Sequence, residues 1–281
     1  MPDKKFTQKM KQNWKDIARK WQSYTPPVKP SKAELYFYEQ KIKKLTQKQK
    51  NLKALVLGAT PEFRGLLAKY KIDTTILDNN KISVQAMTSL IKKKNPKEKV
   101  KIGNWFKIPL KPKTFDLVLS DTAQDNIKYK DFPKFFENIH KVIKPTGFWL
   151  SGHVHLEKKN YITFKTYIKM YHTNPKEFKS KQTAIGRFFQ LAYEPEFYNY
   201  KTRIFNFTKV DAKVKQLVKK GQLPKPALKD LCFNIDYAQP IIPLPELISL
   251  LNKKFKILDQ MQDKSHPAMI IRWSAVLKPR T

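Results

Sequence analysis

Two carboxylates that follow apolar runs, with a glycine near the first, set the opening chemical expectation. Leu55-Val56-Leu57 stops at Gly58-Ala59-Thr60-Pro61-Glu62, and sixteen residues past Glu62 a second apolar run, Ile76-Leu77, ends at Asp78. A tight turn from strand to helix needs small residues, so Gly58 and Ala59 let a ligand approach the main chain, and Pro61 suits a first helical turn. A carboxylate closing the next strand can hold the two hydroxyls of a ribose. This is the layout of a nucleotide-type cofactor site in a parallel α/β sheet. Ser120-Asp121 closes a further apolar run, and ligands of open sheets sit at such carboxyl ends. His153 and His155 form a His-x-His pair. An imidazole, with an ordinary pKa of about 6.5, can take a proton near neutrality, which makes His153 a candidate general base. A hydrogen-bonded loop histidine is its competing reading. Two imidazoles can begin a metal site, but His140, His172 and His266 belong to other segments, so no metal is expected.

The elements that must hold these residues are legible from periodicity. From residue 53 the chain alternates strand and helix, which favours a parallel sheet. Strands are predicted at 53–58, 73–78, 99–103, 114–120 and 147–153, and helices at 61–70, 80–93 and 132–143, the last capped by Asp131 with Pro133 in its first turn. Lys144-Pro145-Thr146-Gly147 reads as a turn. Upstream, Phe6, Met10, Trp14, Ile17, Ala18 and Trp21 make a helical stripe, Thr25 to Pro30 a stiff connector, and Ser31-Lys32-Ala33-Glu34 a capping box opening a helix with Leu35, Tyr38, Ile42 and Leu45 inward. Trp14, Trp21, Tyr24, Tyr36 and Tyr38 read either as a lid over the cofactor pocket or as ordinary packing, with most of these rings expected on the sheet domain and one or two reaching the ligand. Downstream, a helix over 245–254 precedes strands at 255–259 and 268–277. The short region between them, ending in Ser265-His266-Pro267, forces antiparallel pairing.

The division that follows is an N-terminal helical extension at 1–52, a cofactor-binding α/β core at 53–154, a helical cap on the substrate side at 155–240, and a helix with a closing strand pair at 241–281. Helical patterns in the cap run near 157–172, 181–193 and 209–220. Phe188, Phe189, Tyr193, Phe197, Tyr198 and Tyr200 form its core or line a substrate cavity or base-stacking platform.

Composition bounds the classes. A chain of 281 residues with 41% apolar and 12% aromatic residues is a folded protein. No run approaches the roughly 18 to 20 apolar residues of a membrane span and no signal core follows Met1, so a soluble, cytoplasmic protein with no membrane partner is expected. The single cysteine, Cys232, excludes an internal disulfide and reads as a small buried hydrophobe. The net charge of +34 points to nucleic acid by itself, but only six of 57 basic residues are arginine and the lysines are spread along the whole chain, so a solvated lysine surface is the stronger reading.

With these residues in hand, the chain resembles the class I S-adenosylmethionine-dependent methyltransferases over about residues 32–277, in a branch with a Gly-Ala-Thr-Pro-Glu first loop. Carrying the likeness are Val56 to Glu62, Leu77-Asp78, Ile102-Gly103-Asn104-Trp105, Phe115 to Asp121, the Gly147 to His153 strand and the closing hairpin. The fold so implied is a Rossmann-like, seven-stranded, mostly parallel sheet with an antiparallel last strand, an N-terminal helical extension and a helical insertion after the fifth strand. The resemblance implies S-adenosylmethionine as cofactor, with Gly58, Ala59, Thr60 and Glu62 along its methionine and ribose, Asp78 on the ribose hydroxyls and Asn79 beside it. Gly103, Asn104 and Trp105 then flank the adenine, and Ser120 and Asp121 face the methionine end and the acceptor. The chain carries one glycine in the first loop where the family has two or three, and Asn104 where an aspartate is usual. The reaction implied is methyl transfer to an O, N or C nucleophile, with a small-molecule acceptor favoured and RNA the alternative. His153 or Asp121 serves as base only for an acceptor that must lose a proton. A nicotinamide oxidoreductase is disfavoured by the absence of Gly-x-Gly-x-x-Gly, and a non-catalytic binding module is the remaining reading.

Overall fold

A computed structural model of the chain describes residues 18–19, 21–23, 29–156, 162–174, 195–225, 227, 238–263 and 272–280. Most of the helix expected at 6–22, the connector at 24–28, the helix expected at 181–193, Cys232 and Ser265-His266-Pro267 lie outside the described residues.

Ser31 opens α1 (Lys32–Lys48) with the expected capping box: its hydroxyl accepts from Glu34 N (3.1 Å), and Glu34 Oε2 accepts from Ser31 N (2.8 Å). Tyr38 and Ile42 are fully buried, with Leu35 and Leu45 partly buried beside them. The chain then alternates through β1 (Lys53–Leu57), α2 (Pro61–Lys69), β2 (Asp73–Asp78), α3 (Lys81–Thr88), β3 (Glu98–Ile102), β4 (Phe115–Asp121), α4 (Phe132–Val142) and β5 (Ile143–Val154). Beyond lie α5 (Phe164–Thr173), β6 (Tyr198–Asn199), β7 (Ile204–Asn206), α6 (Phe207–Lys219), β8 (Ala238–Pro240), α7 (Leu244–Asn252), β9 (Phe255–Met261) and β10 (Arg272–Pro279).

Seven strands form one sheet in the order β3-β2-β1-β4-β5-β10-β9. The first five are mutually parallel, and β10 is antiparallel to both neighbours, so β9 runs with the rest and β10 alone is opposed. This is the mostly parallel, Rossmann-like sheet with an opposed last strand that the sequence implied. Its central strands are apolar on both faces because helices cover both. Val56, Ile76, Leu119 and Leu150 meet Tyr38, Phe63, Leu67 and Val84 of α1, α2 and α3. Leu55, Leu57, Val118 and Trp149 meet Phe135, Phe136, Ile139 and Leu251 of α4 and α7.

Three local expectations change. The stretch 144–147 is strand, not turn: Gly147 sits inside β5, where a Cβ would stand 2.8 Å from Ile143 Cγ1 and 2.9 Å from Phe115 O. That close approach lies beside the irregularity in the β4/β5 register at Phe115 and Leu117. Gly147→Ala should therefore cost about 1–3 kcal/mol, the usual range for overpacking, read as a lower urea midpoint at unchanged m. A midpoint equal to wild type would mean the strand accommodates the methyl group. Second, Asp131 makes no side-chain cap, whereas Asn80, unanticipated as a cap, accepts from Ile82 N (3.0 Å) and Ser83 N (3.2 Å) to start α3, which stops at Thr88. Third, the insertion contains, besides α5 and α6, a small antiparallel sheet β6-β7-β8. Strands of two or three residues are too short to show a period of two in sequence. Phe164, Tyr167, Phe197, Phe205, Phe207 and Val210 make a separate core there. Among the described residues no helix is long and apolar enough to cross a membrane.

Candidate functional site

The loops after β1, β2 and β3 are stitched together by main-chain and indole hydrogen bonds. Gly58 adopts φ +92°, which side-chain-bearing residues rarely adopt, and its N–H donates to Leu77 O (2.9 Å). Trp105 Nε1 donates to the same carbonyl (2.9 Å), and Gly103 N donates to Asp78 O (3.0 Å). The Trp105 ring lies against Gly58, 3.9 Å from where a Cβ would stand. Gly103 is itself confined, since a Cβ would meet Leu77 Cδ1 at 3.1 Å. Asn104 is exposed and turns its Oδ1 to Phe106 N (2.8 Å), starting the short 3-10 turn that carries Trp105.

Asp78 closes β2 with Oδ1 accepting from Asn80 N (2.7 Å), and Asn79 beside it is exposed. Burial pushes the Asp78 carboxyl up to about 6, against the pull of the Asn80 and Asn79 backbone N–H groups. Ala59 is buried, and Thr60 precedes Pro61 in the first turn of α2 without capping it. Glu62 accepts from Trp21 Nε1 at Oε1 (2.9 Å), while its buried Oε2 has no hydrogen-bond partner among the described residues. Trp21 is thus tied to the first turn of α2. Sequence reasoning missed the buried Arg64, whose Nε and Nη2 donate to the two Glu98 oxygens (3.0 and 2.5 Å) and clamp α2 to the edge strand β3.

The residues proposed for the end of β4 separate. Successive side chains of a strand face opposite sides of a sheet. Ser120 is fully buried on the α4 side, its hydroxyl paired with Ser151 Oγ (2.8 Å) and accepting from Trp149 Nε1 (2.9 Å). Asp121 faces the α1 side, where it accepts from Arg272 Nη2. His153 follows Gly152, the partner of Asp121 in register, and so projects to the side away from Asp121, with its ring 5.8 Å from Trp149 and 5.5 Å from Trp273. The two candidate bases therefore stand on opposite faces. Burial, with Arg272 and His155 nearby, lowers His153 to about 3, so the ring is neutral and a poor proton acceptor near pH 7.

Arg272 is the electrostatic centre beneath these strand ends. Its side chain is fully buried, with Nε donating to Glu34 Oε1 (2.6 Å) and Nη2 to Asp121. Ser274 Oγ donates to the same Glu34 oxygen (2.5 Å). Burial works against the guanidinium charge, but Asp121 and Glu34 more than offset it and hold the pKa above its ordinary value. Burial raises Asp121 to about 6 even beside Arg272, with Glu34 adding to the rise. Gly152 makes room for the pair: a Cβ there would stand 2.9 Å from Arg272 Nη2. An arginine amid Ile270-Ile271-Arg272-Trp273 was the available sequence signal for this centre. Among the described residues no three His, Cys, Asp or Glu side chains gather as a metal site.

No curated protein matches the sequence. The CcbJ methyltransferase of Streptomyces caelestis is similar at 10% identity over 94% of this chain and 96% of that one, with a TM-score of 0.58. A protein of Rhodobacter sphaeroides named for zinc-dependent alcohol dehydrogenases matches at 14% identity over 96% and 98%, TM-score 0.58. The 1,6-didemethyltoxoflavin-N1-methyltransferase of Burkholderia thailandensis, solved with 1,6-didemethyltoxoflavin and S-adenosylhomocysteine, matches at 9% identity over 99% of this chain and 89% of that one, TM-score 0.54. Identities this low show the fold alone, and the differing names among these structures illustrate why. The sequence itself decides more: residues 49–222, over half the chain, match the family described as the methyltransferase domain, and the chain belongs to that family.

Proposed function

We propose that this protein transfers a methyl group from S-adenosylmethionine to an oxygen, nitrogen or carbon nucleophile of a small-molecule acceptor. The observation carrying this reading is the stitched set of loops at the ends of β1, β2 and β3, in a chain of the methyltransferase-domain family. Two features fit an adenosine-bearing donor. Gly58 at φ +92° leaves the first loop bare of any Cβ beside the Trp105 ring, and Glu62 Oε2 is a buried acceptor without a hydrogen-bond partner among the described residues. Asp78 binds the ribose hydroxyls, with Asn79 alongside; Ala59 and Thr60 border the methionine chain; Gly103, Asn104 and Trp105 wall the adenine.

The donor supplies an already electrophilic methyl carbon, so the protein's work is alignment and exclusion of water. Asp121 is fixed by Arg272 at the end of β4 and positions the junction of donor and acceptor. The described part of the insertion, with α5, α6 and the β6-β7-β8 sheet, caps the acceptor side and keeps water out. A small acceptor is supported by the toxoflavin-type substrate of the Burkholderia neighbour. The charge of +34 favours RNA as the second reading, and RNA binding that is tight and steeply salt-dependent would favour it over the first.

Calorimetric titration with S-adenosylhomocysteine tests the reading, with micromolar or tighter binding expected and no heat on addition of NAD. Affinity should be constant above about pH 7 and weaken as the pH falls through about 6, by at most tenfold per unit, because proton uptake removes the Asp78 acceptor that the ribose requires. The same slope in Asp78→Asn would assign the effect to another group.

A further inference from the structure

Spread along the whole sequence, the lysines are not spread evenly over the fold. Strands β1 to β5 are parallel, so their amino ends share one end of the sheet, opposite the loops that would hold the donor. Across the order β3-β2-β1-β4-β5, the turn entering each strand carries exposed lysine. Lys92, Lys93, Lys94 and Lys97 precede β3, and Lys71 precedes β2. Lys50 precedes β1 and Lys53 begins it, Lys111 and Lys113 precede β4, and Lys141 lies before β5. None of these lysines has an ion-pair partner among the described residues. Of the acids at this end, Asp116 is held by Lys144 (2.7 Å) and Glu98 by Arg64, which leaves the half-buried Asp73. At the opposite ends acids and bases nearly balance. Glu62, Asp78, Asp121, Asp125 and Asp131 stand there against Lys81, Lys107, Lys128, Lys130 and Arg272.

The basic turns are fixed to one another. Asn95 Nδ2 donates to Ile72 O (2.8 Å), Asp73 N to Leu52 O (3.2 Å), Lys53 N to Asp116 Oδ2 (2.9 Å) and Lys113 N to Lys141 O (2.9 Å), which joins all five. Two of the lysines also occupy backbone that glycine ordinarily fills. Lys71, just past α2, has φ +52°, and Lys113, after Pro112, has φ +50°. A side chain in that left-handed region costs stability, and a helix end or turn that needs it usually takes glycine. Strained backbone of this kind gathers at functional sites. We infer that this end of the sheet docks the phosphate backbone of a nucleic-acid duplex, without reading its sequence. Neighbouring strands lie about 4.8 Å apart, so five of them set a row of about 20 Å, the length of roughly six phosphates at about 3.4 Å each along one strand of a duplex. The exposed large hydrophobic side chains among the described residues, Tyr36, Val100, Ile102, Tyr200 and Leu258, all lie outside these turns. A single strand would gain from rings to stack on, and a membrane surface from an apolar anchor beside the lysines. The inference does not rest on the methyl-transfer reading, because the donor loops lie at the far ends of the same strands. A duplex held here is a docking partner and not the methyl acceptor, so tight RNA binding speaks for RNA as acceptor only where it maps to the carboxyl ends.

Full-length protein titrated with a fluorescent duplex RNA of about 20 base pairs and arbitrary sequence, over a range of salt, tests this. About six phosphate contacts give a slope of about −5 in log affinity against log salt, roughly a thousandfold loss between about 50 and 200 mM. Lys92→Gln, Lys93→Gln and Lys94→Gln together should make the slope less steep by about 2–3. Lys215→Gln, Lys219→Gln and Lys220→Gln remove the same charge from the end of α6 in the insertion and should leave the slope within about 0.5 of wild type. Lys71→Gly should raise the melting temperature by about 2 °C and make the slope less steep by about 1, a pairing that a merely solvated lysine does not give. Saturating S-adenosylhomocysteine should leave duplex affinity within about twofold. Duplex binding no tighter than millimolar at about 50 mM salt would overturn the inference. Equal changes of slope in the two triple variants would also overturn it, by assigning binding to net charge alone. Displacement of the duplex by S-adenosylhomocysteine would move it to the cofactor end and sink the proposal too. Sedimentation with vesicles of phosphatidylcholine and phosphatidylserine, without duplex binding, would put a membrane in the duplex's place. Wild type that ignores S-adenosylhomocysteine yet keeps the predicted slopes marks failure of the methyl-transfer reading alone.

Discussion

Arg272→Met should destabilise the protein by about 3–5 kcal/mol at pH 7, the range found when one member of a buried ion pair is removed. The methionine fills the channel, but Glu34 and Asp121 then face one interior with no guanidinium between them. Arg272 is what holds the buried Asp121 carboxyl down, so its loss raises that carboxyl further, and the folded variant takes up a proton that the unfolded chain releases. Between the unfolded carboxyl value of about 4 and the raised folded value of Asp121, stability then falls as pH rises. The deficit relative to wild type is therefore largest at neutral pH and shrinks towards pH 4. Urea titrations at pH 4.5 and 7.5 measure it. A loss under about 1 kcal/mol at pH 7.5 would mean that water reaches the pair.

Asp78→Ala should weaken S-adenosylhomocysteine binding about a hundredfold. Two hydroxyl-to-carboxylate hydrogen bonds at about 1.5 kcal/mol each amount to about 3 kcal/mol, and each 1.4 kcal/mol is tenfold in Kd. The fold should not suffer. Because the folded pKa of about 6 lies above the unfolded value, the carboxylate costs stability above about pH 6 and nothing below about pH 4. At pH 7 the variant should thus melt no lower than wild type, and calorimetry and thermal melts together separate a lost ligand contact from a damaged protein. Unchanged affinity would remove the ribose from Asp78.

Much of the architecture was legible because it is written locally. The apolar runs ending at Leu57, Leu77 and Leu119 gave the parallel strands, and the short interval between the last two strands gave their antiparallel pairing. The Ser31 to Glu34 capping box was legible for the same reason, since its partners lie three residues apart. The second role of Glu34 was not, because its partner Arg272 is 238 residues away. Gly147 followed Lys-Pro-Thr and read as a turn, whereas the packing of Phe115 against that glycine is a tertiary fact. Asp121 and His153 could be placed near strand ends from the sequence. Their separation to opposite faces depends on the pairing of Asp121 with Gly152, which strand register alone supplies. Gln124 and Asp125 follow the fourth strand in a stretch with no periodicity, and they are interior in a turn that packs against both β5 and β8.

The reach of Arg272 across the whole sequence has a consequence for biosynthesis. Helix α1 leaves the ribosome early with Glu34 already committed to its cap, while the guanidinium that neutralises that acid emerges more than two hundred residues later. Nascent chains halted before β10 should hold the first five strands in a loose, chaperone-bound collapse, and settle only when that arginine slides into the gap beside Gly152.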